Sequence, residues 1–214
     1  MTTATMPRFE ADEVKRIFLL DGRRIPSITD VIQDLGYIDP RWFTERDRLR
    51  GQYAHSLCQF YDEQDYDPAE AKKLTGFIDA DPNAGLDGYV ESWRKIVERY
   101  KPTWLDIERR LFSPTLRFCG KPDRRLLIGK REHIWEIKTG PPEAWHGYQT
   151  GAQDVLFGPY PDDVRRRAGV HLHADGAEAT LKPHPLFDDA AHFFAMLDCY
   201  RTRQLCRSKT IPGE

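Results

Sequence analysis

The sequence predicts one mixed α/β (α+β) domain in which a central mixed β-sheet is flanked by helices. Two patterns lead to this prediction: apolar residues recur at helical spacing over 86–100, and they alternate with polar residues in short stretches between 104 and 139. A helical segment and a further pair of strands follow, an order that is typical of a mixed sheet. A chain of 214 residues is long enough to bury a core of its own.

The N-terminal part of this domain, 8–101, is predicted to contain a hairpin and helices. Asp-Gly pairs favour tight turns, hydroxyl side chains cap helix N-termini, glycine is favoured where a helix ends, and proline cannot continue a helix. In chain order the predicted elements are a hairpin over 14–27 that turns at Asp21-Gly22, a helix from Ser27 or Thr29 to Leu35 followed by Gly36, a helix over 45–63 capped by Thr44, a polar connection over 64–84 with room for one helical turn, and a helix over 86–100 that ends before Pro102.

The remaining part, 102–207, is predicted to form the sheet and its flanking helices, followed by a frayed tail over 208–214. The predicted strands are Trp104–Phe112, Leu116–Gly120, Arg124–Ile128 and His133–Thr139, followed by a helix over 143–157, a hairpin of Arg167–His173 and Ala177–Lys182 about Asp175-Gly176, and a closing helix from Asp188 or Asp189.

The composition excludes some classes of protein. The longest apolar runs are far below the ~18–20 residues of a membrane span, so we expect no membrane partner. The N-terminus has no apolar signal region, and the four cysteines have no CxxC spacing, so we expect reduced thiols in a cytoplasmic protein. The net charge is −2, but arginines are clustered, and one basic face is enough to bind a nucleic acid.

The chemically informative residues are Asp123, Glu136 and Lys138. Glu136 and Lys138 are two apart on a predicted strand and therefore share a face, and Asp123 comes level with Glu136 if the two strands are neighbours. Two close carboxylates repel unless a cation lies between them, and oxygen ligands suit Mg²⁺ or Mn²⁺. The alternative is a surface ladder of charges with an ordinary cross-strand ion pair.

The segment Pro122-Asp123, followed by Glu136-Ile137-Lys138, resembles the PD-(D/E)-x-K nuclease superfamily, in particular the branch of RecB-type nuclease domains and lambda-type phage exonucleases. Further segments resemble that branch in the same order: Pro26-Ser27-Ile28-Thr29, Arg50-Gly51 with His55 four residues after the glycine, Glu108, and Trp145-His146-Gly147-Tyr148-Gln149. The resemblance covers most of the chain and implies a restriction-endonuclease-like core.

The resemblance also implies roles for individual residues. Asp123 and Glu136 would ligate one or two Mg²⁺ or Mn²⁺ ions together with the backbone carbonyl of Ile137, and Lys138 would position the attacking water. The other implied site residues are His55 near a second metal or the scissile phosphate, Glu108 as a further acidic ligand, and Gln149 as a side chain that reaches the active site.

Four residues are expected to contact DNA: Arg50, Arg124, Tyr148 and Gln153. Gln153 stands where the family often has a tyrosine, which puts the usual aromatic contact in doubt. Gln149 and Gln153 are four apart and therefore share a helix face, so both could line a DNA groove. His55 follows Gly51, which would allow its helix to approach the sheet closely.

We therefore expect a metal-dependent deoxyribonuclease, with an exonuclease favoured by the resemblance. The partner would be double-stranded DNA ends or single strands, in recombination, repair or phage DNA processing, in a bacterium or phage. A single-strand annealing protein is a further partner by analogy with phage systems, and the oligomeric state stays open. The alternatives are a structure-specific or restriction-type endonuclease and a non-catalytic DNA-binding accessory protein. Some relatives hold an iron–sulfur cluster, but their C-terminal cysteine triplet is missing here, so we expect no cluster.

Overall fold

The computed structural model describes residues 6–38, 41, 44–65, 67–75, 86–159 and 165–209. In chain order the elements are β1 (Phe9–Asp12), β2 (Ile17–Leu20), β3 (Arg23–Arg24), α1 (Ile28–Asp34), α2 (Glu45–Asp62), α3 (Pro68–Thr75), α4 (Leu86–Tyr100), β4 (Thr103–Ile107), β5 (Leu111–Ser113), β6 (Phe118–Gly120), β7 (Arg124–Ile128), β8 (Arg131–Lys138), α5 (Trp145–Leu156), β9 (Arg166–His171), β10 (Thr180–Pro183) and α6 (Asp189–Lys209). No helix within these residues is long and apolar enough to cross a membrane.

A five-stranded mixed sheet forms the centre of the molecule, in the order β10-β9-β8-β7-β4. Strands β8 and β9 are parallel, and the other neighbours are antiparallel. The parallel pair needs a crossover connection, which contains α5. The predicted class, an α/β (α+β) core with a helix-flanked mixed sheet, is therefore confirmed.

Helices cover both faces of this sheet. On one face Trp135, Ile137 and Val170 pack against α2 and α4, where Leu57 and Trp93 are fully buried. On the other face α5 packs against α6 and α1 in a second apolar cluster. Gly151 allows helices α5 and α6 to approach closely, since a Cβ at this position would lie only 2.8 Å from the backbone nitrogen of Ala190.

The two helices that begin after a predicted hydroxyl cap do so for the expected reason. Ser27 accepts a hydrogen bond from the N–H of Asp30, and Thr44 accepts one from the N–H of Asp47, each in a reciprocal capping box. Gly36 follows α1 with a positive φ of 82°, as expected for the residue after a helix end.

The N-terminal hairpin is confirmed at its turn, but the prediction missed a strand. Asp21 and Gly22 have positive φ values of 51° and 71°, as a tight two-residue hairpin turn requires. Strand β1, over Phe9–Asp12, pairs with β2 on its other side, and it lies outside the predicted hairpin.

Four predicted boundaries need correction. The strand over Trp104–Phe112 breaks at Glu108, whose φ of 49° cannot continue a strand, and β5 pairs with β6 in a separate sheet. The predicted connection over 64–84 contains the eight residues of α3, which is more than the single helical turn expected, and 76–84 lie outside the described residues. The last hairpin has a longer connection than predicted, because the N–H groups of His173 and Ala179 donate hydrogen bonds to Ser92 of α4 instead of pairing in the sheet. Helix α6 extends into the predicted tail, through Ser208 and Lys209. The remainder of the predicted tail, 210–214, lies outside the described residues.

Candidate metal centre

The candidate site lies where β7 begins and β8 ends. The antiparallel register pairs Arg124 with Trp135, so Asp123, which directly precedes β7, stands level with Glu136. This is the juxtaposition that the sequence predicted. Both carboxylates are 4% exposed. Two acidic side chains are therefore held together out of water, which is unfavourable unless positive charge accompanies them.

Asp123 belongs to a compact group of donor atoms with His55 and Glu108. Its Oδ1 lies 3.4 Å from Nδ1 of His55, and Oε1 of Glu108 lies 3.8 Å from the same nitrogen. One ligand atom from each of the three residues lies within 4.8 Å of the other two. A nitrogen and two carboxylate oxygens at this separation suit Mn²⁺ and, less strictly, Mg²⁺.

The backbone brings Glu108 into this group. The N–H of Glu108 donates a 2.9 Å hydrogen bond to the carbonyl of Asp123, and the positive φ of Glu108 turns the chain after β4. A non-glycine residue with positive φ costs free energy, and such strain is typical of functional sites.

Glu136 lies beside this group with both oxygens hydrogen-bonded. Gln149 donates to Oε1 at 2.5 Å, and Gln153 donates to Oε2 at 2.8 Å. The Nζ of Lys138 lies 3.3 Å from Oε1 of Glu136 and donates to Oε1 of Gln149 at 2.9 Å. Lys138 also lies over the ring of Trp145, 5.2 Å from its centroid. The lysine is thus held at the edge of the carboxylate group.

The charges of these groups depend on one another. Burial opposes the protonated form of His55, but the carboxylates of Asp123 and Glu108 outweigh burial and raise its pKa to about 10. Burial opposes the ionised form of Asp123, yet His55, Lys138 and Arg124 lower its pKa. Burial and the neighbouring Asp123 raise the pKa of Glu136, against the attraction of Lys138. The protonated ring of His55 therefore compensates the negative charges of Asp123 and Glu108, at a position where a metal cation could do the same.

Ile137 takes part through a different atom from the one predicted. Its N–H donates a 2.7 Å hydrogen bond to Oδ2 of Asp123. This bond fixes the Asp123 carboxylate and leaves its other oxygen, Oδ1, towards His55. The N–H and C=O of one strand residue point to the same side, so the carbonyl of Ile137 also points to the side on which Asp123 lies.

Two of the predicted DNA contacts are wrong as stated. Arg124 is completely buried and donates to Asp62 at 2.6 Å and to the carbonyl of Asp123 at 2.7 Å, so it cannot contact a phosphate. Gln153 is 1% exposed, because its side chain points at Glu136 rather than into a groove. Both residues instead hold a residue of the site in place, since Arg124 donates to the carbonyl of Asp123 and Gln153 donates to the carboxylate of Glu136.

The other two predicted DNA contacts lie in different places. Arg50 pairs with Asp47 at 2.9 Å and lines a cavity of about 660 Å³ that His55 and Lys138 also line. Tyr148 lies instead against Tyr37 and His192, in edge-on or tilted ring contacts. Gly51 gives no unusually close approach, because a Cβ there would lie 3.7 Å from Thr139, an ordinary contact distance.

Sequence reasoning missed two supporting residues. The Nζ of Lys121 lies 2.7 Å from Oε2 of Glu108, and Asp62 anchors Arg124. A signal existed for both: Lys121 is two residues before Asp123, and Asp62 is two helical turns after His55. Of the cysteines, Cys58 and Cys119 are buried and Cys199 and Cys206 are exposed. The expectation of no iron–sulfur cluster stays a prediction.

Comparisons with known proteins leave the function open. No family model matches the chain, and no curated protein matches it. One solved structure, "Crystal structure of SSO0001", is similar to this chain with 14% sequence identity and a TM-score of 0.35. The match covers 83% of this chain and 84% of the chain in that structure. A similarity this low carries no conclusion about the activity of the chain.

Proposed function

We propose that the protein is a metal-dependent deoxyribonuclease of the PD-(D/E)-x-K superfamily, of the RecB-like or lambda-exonuclease type, which hydrolyses phosphodiester bonds in DNA. The single observation that carries this proposal is the convergence of Asp123, Glu108 and His55 on one donor group beside Glu136 and Lys138. Buried acidic groups with shifted pKa values that lie next to each other are concentrated at functional sites.

The donor group fits a divalent cation. Asp123 and Glu108 offer carboxylate oxygens and His55 offers a ring nitrogen, while Glu136, which the resemblance implies as a ligand together with Asp123, stands next to this group. A bound Mg²⁺ or Mn²⁺ would supply charge neutralisation at the phosphate and a more acidic water. A cation would also take over the compensation that the His55 proton provides in its absence.

The chain supplies the remaining functions. Lys138 is an ammonium donor on the cavity wall, held by Glu136 and Gln149, and it can donate a hydrogen bond to a phosphate oxygen or to the attacking water. Arg50 on the same wall can pair with the DNA backbone, which carries no sequence information. Binding should therefore weaken as salt concentration rises.

The proposal that the enzyme is an exonuclease rather than an endonuclease rests on the family resemblance alone. The second candidate is an endonuclease of the same fold, because the same residues would cleave an internal phosphodiester bond. Recombination, repair or phage DNA processing would be the setting. A single-strand annealing protein would be a partner by the same analogy.

The test is a time course on end-labelled linear DNA and on closed circular DNA, with Mg²⁺, with Mn²⁺ and with EDTA. Asp123→Asn and Lys138→Met are compared with Asp198→Asn, a change at an exposed carboxylate on α6. We expect metal-dependent loss of linear DNA only, abolished by the first two variants and kept by the third. Cleavage of the circle would indicate an endonuclease. Folded protein that binds DNA without metal-dependent cleavage would contradict the enzymatic proposal.

A further inference from the structure

A second cavity, of about 680 Å³, lies at the other end of β8 and β9 from the candidate metal centre. Its lining includes His133 near the start of β8 and Arg166 at the start of β9, whereas Lys138 ends β8. Five residues along a strand separate His133 from Lys138 by ~16 Å. The volume is within the range of ~300–1,000 Å³ that small-molecule sites occupy.

The arginines at the start of β9 differ in their partners. Arg165 pairs with Glu132 and Asp154, and Arg167 pairs with Asp189. Arg166 lies between them, and side chains alternate along a strand, so Arg166 points to the opposite face. Within the described part of the chain, its exposed guanidinium has no carboxylate partner. The guanidinium of Arg166 is therefore available to bind an anionic ligand in the cavity.

His133 stands directly beside Arg166 in the parallel register. It is 9% exposed, and its ring makes no hydrogen bond with any residue that the structure describes. Burial and the charges of Arg166 and Arg131 lower its pKa to about 4, so the ring is neutral and keeps one N–H donor at neutral pH. The ring nitrogens are not among the fully buried polar atoms of the described residues, so the N–H can donate a hydrogen bond to a ligand in the cavity.

The lining also contains further polar residues, namely Arg131, Asp154, Arg165, Arg167 and His184, and a set of apolar and aromatic ones. Tyr100, Ile128 and Leu181 form one wall and also pack against the main core. Phe187 lines the cavity while 91% of its side chain is exposed. Phe187 follows Leu186, whose carbonyl accepts a hydrogen bond from Arg167, so it lies on the side of Arg167. The wall of Tyr100, Ile128 and Leu181 lies on the sheet face of Arg166 and His133 and offers an apolar surface to a planar base.

We propose that this cavity binds a nucleoside monophosphate, with its phosphate against Arg166 and His133 and its base against the wall of Tyr100, Ile128 and Leu181. A phosphate would satisfy both uncommitted donors at once, and the base would cover the apolar wall. The inference does not depend on the proposed nuclease activity, because no residue of the candidate metal centre lines this cavity. The same chemistry could come from a free nucleotide or from one unit of a DNA strand.

The test is calorimetric titration of dTMP into the full-length protein in EDTA, with thymidine, inorganic phosphate and an oligothymidylate as further ligands. Arg166→Ala is compared with Arg23→Ala, a change at another exposed arginine in a strand. We expect dTMP to bind the wild type and the Arg23 variant alike. Arg166→Ala should weaken binding roughly tenfold or more, and thymidine and inorganic phosphate should each bind more weakly than dTMP.

A second readout is the NMR signal of the His133 ring, assigned with a His133→Gln variant. It should shift on addition of dTMP to the wild type. An oligothymidylate whose affinity also depends on Arg166 would identify DNA as the source of the nucleotide, and one whose affinity does not would identify the free nucleotide. The proposal is overturned if dTMP does not bind, if its affinity is unchanged in Arg166→Ala, or if inorganic phosphate binds as tightly as dTMP.

Discussion

The guanidinium of Arg124 donates a 2.6 Å hydrogen bond to Oδ2 of Asp62, and both side chains are completely shielded from solvent. This ion pair joins the end of α2 to the start of β7. His55 lies two helical turns before Asp62, and Asp123 directly precedes Arg124. The pair therefore fixes how the helix that carries His55 meets the strand that follows Asp123.

Removal of one partner of this pair should be costly. Asp62→Asn removes the closer of the two carboxylates that accompany the buried Arg124 charge and leaves only Glu108, at 3.4 Å, so we expect the free energy of unfolding to fall by about 3 kcal/mol in urea titration. The double change Asp62→Leu with Arg124→Met should recover part of that loss, because an apolar pair needs no desolvation of charge, but the Nε1–H of Trp93 then loses its acceptor.

The matched control is the exposed pair of Arg99 and Glu178, at 2.7 Å. Glu178→Gln should change the free energy of unfolding far less than Asp62→Asn does, because solvent screens an exposed pair. A loss in Asp62→Asn no larger than that of the control would show that the buried pair does not hold α2 against β7.

Gln153 is expected to act through Glu136. Gln153→Leu removes the 2.8 Å hydrogen bond to Oε2 of Glu136, but it also removes a buried carbonyl oxygen that has no partner among the described residues. We therefore expect a change in stability within about 1 kcal/mol and a fall of about 10- to 100-fold in metal affinity or DNA cleavage. Unaltered metal affinity and cleavage in a folded variant would assign Gln153 to packing alone.

The buried His146 predicts a dependence of stability on pH. Burial and the nearby Lys138 lower its pKa to about 2, and its Nδ1 accepts a hydrogen bond from the N–H of Glu143. Between about pH 6.5 and pH 2 the unfolded chain binds a proton at this position that the folded chain does not bind. This residue should therefore lower the free energy of unfolding by about 2 kcal/mol between pH 7 and pH 5.

His146→Asn keeps a hydrogen-bond acceptor but does not titrate, so its stability should fall less steeply over this interval. His192→Asn, at an exposed histidine, should follow the wild type. Urea midpoints at pH 5, 6 and 7 in EDTA measure the difference. Parallel curves for wild type and His146→Asn would contradict the neutral, buried state of this ring.

The sequence predicted the juxtaposition of Asp123 and Glu136 because alternation and strand order suffice to align two neighbouring strands. It also predicted α2, α4 and α5, whose apolar spacing or caps are local signals. The break at Glu108 was missed because it depends on a hydrogen bond to Asp123, which lies beyond the next two strands. Strand β1 was missed because Glu10, Ala11 and Asp12 are residue types that strands disfavour. Arg124 and Gln153 were predicted to contact DNA, because the sequence does not show whether a polar side chain points into the core or towards solvent.

The central claim is that Asp123, Glu108 and His55 hold a divalent cation together with Glu136, and Mn²⁺ binding tests it most directly. Electron paramagnetic resonance titration should show saturable binding of one or two Mn²⁺ ions to the wild type and to Asp198→Asn. Asp123→Asn should lose at least one of these ions while it remains folded. Saturable binding that is identical in Asp123→Asn, or no binding to the wild type at millimolar Mn²⁺, would contradict the account.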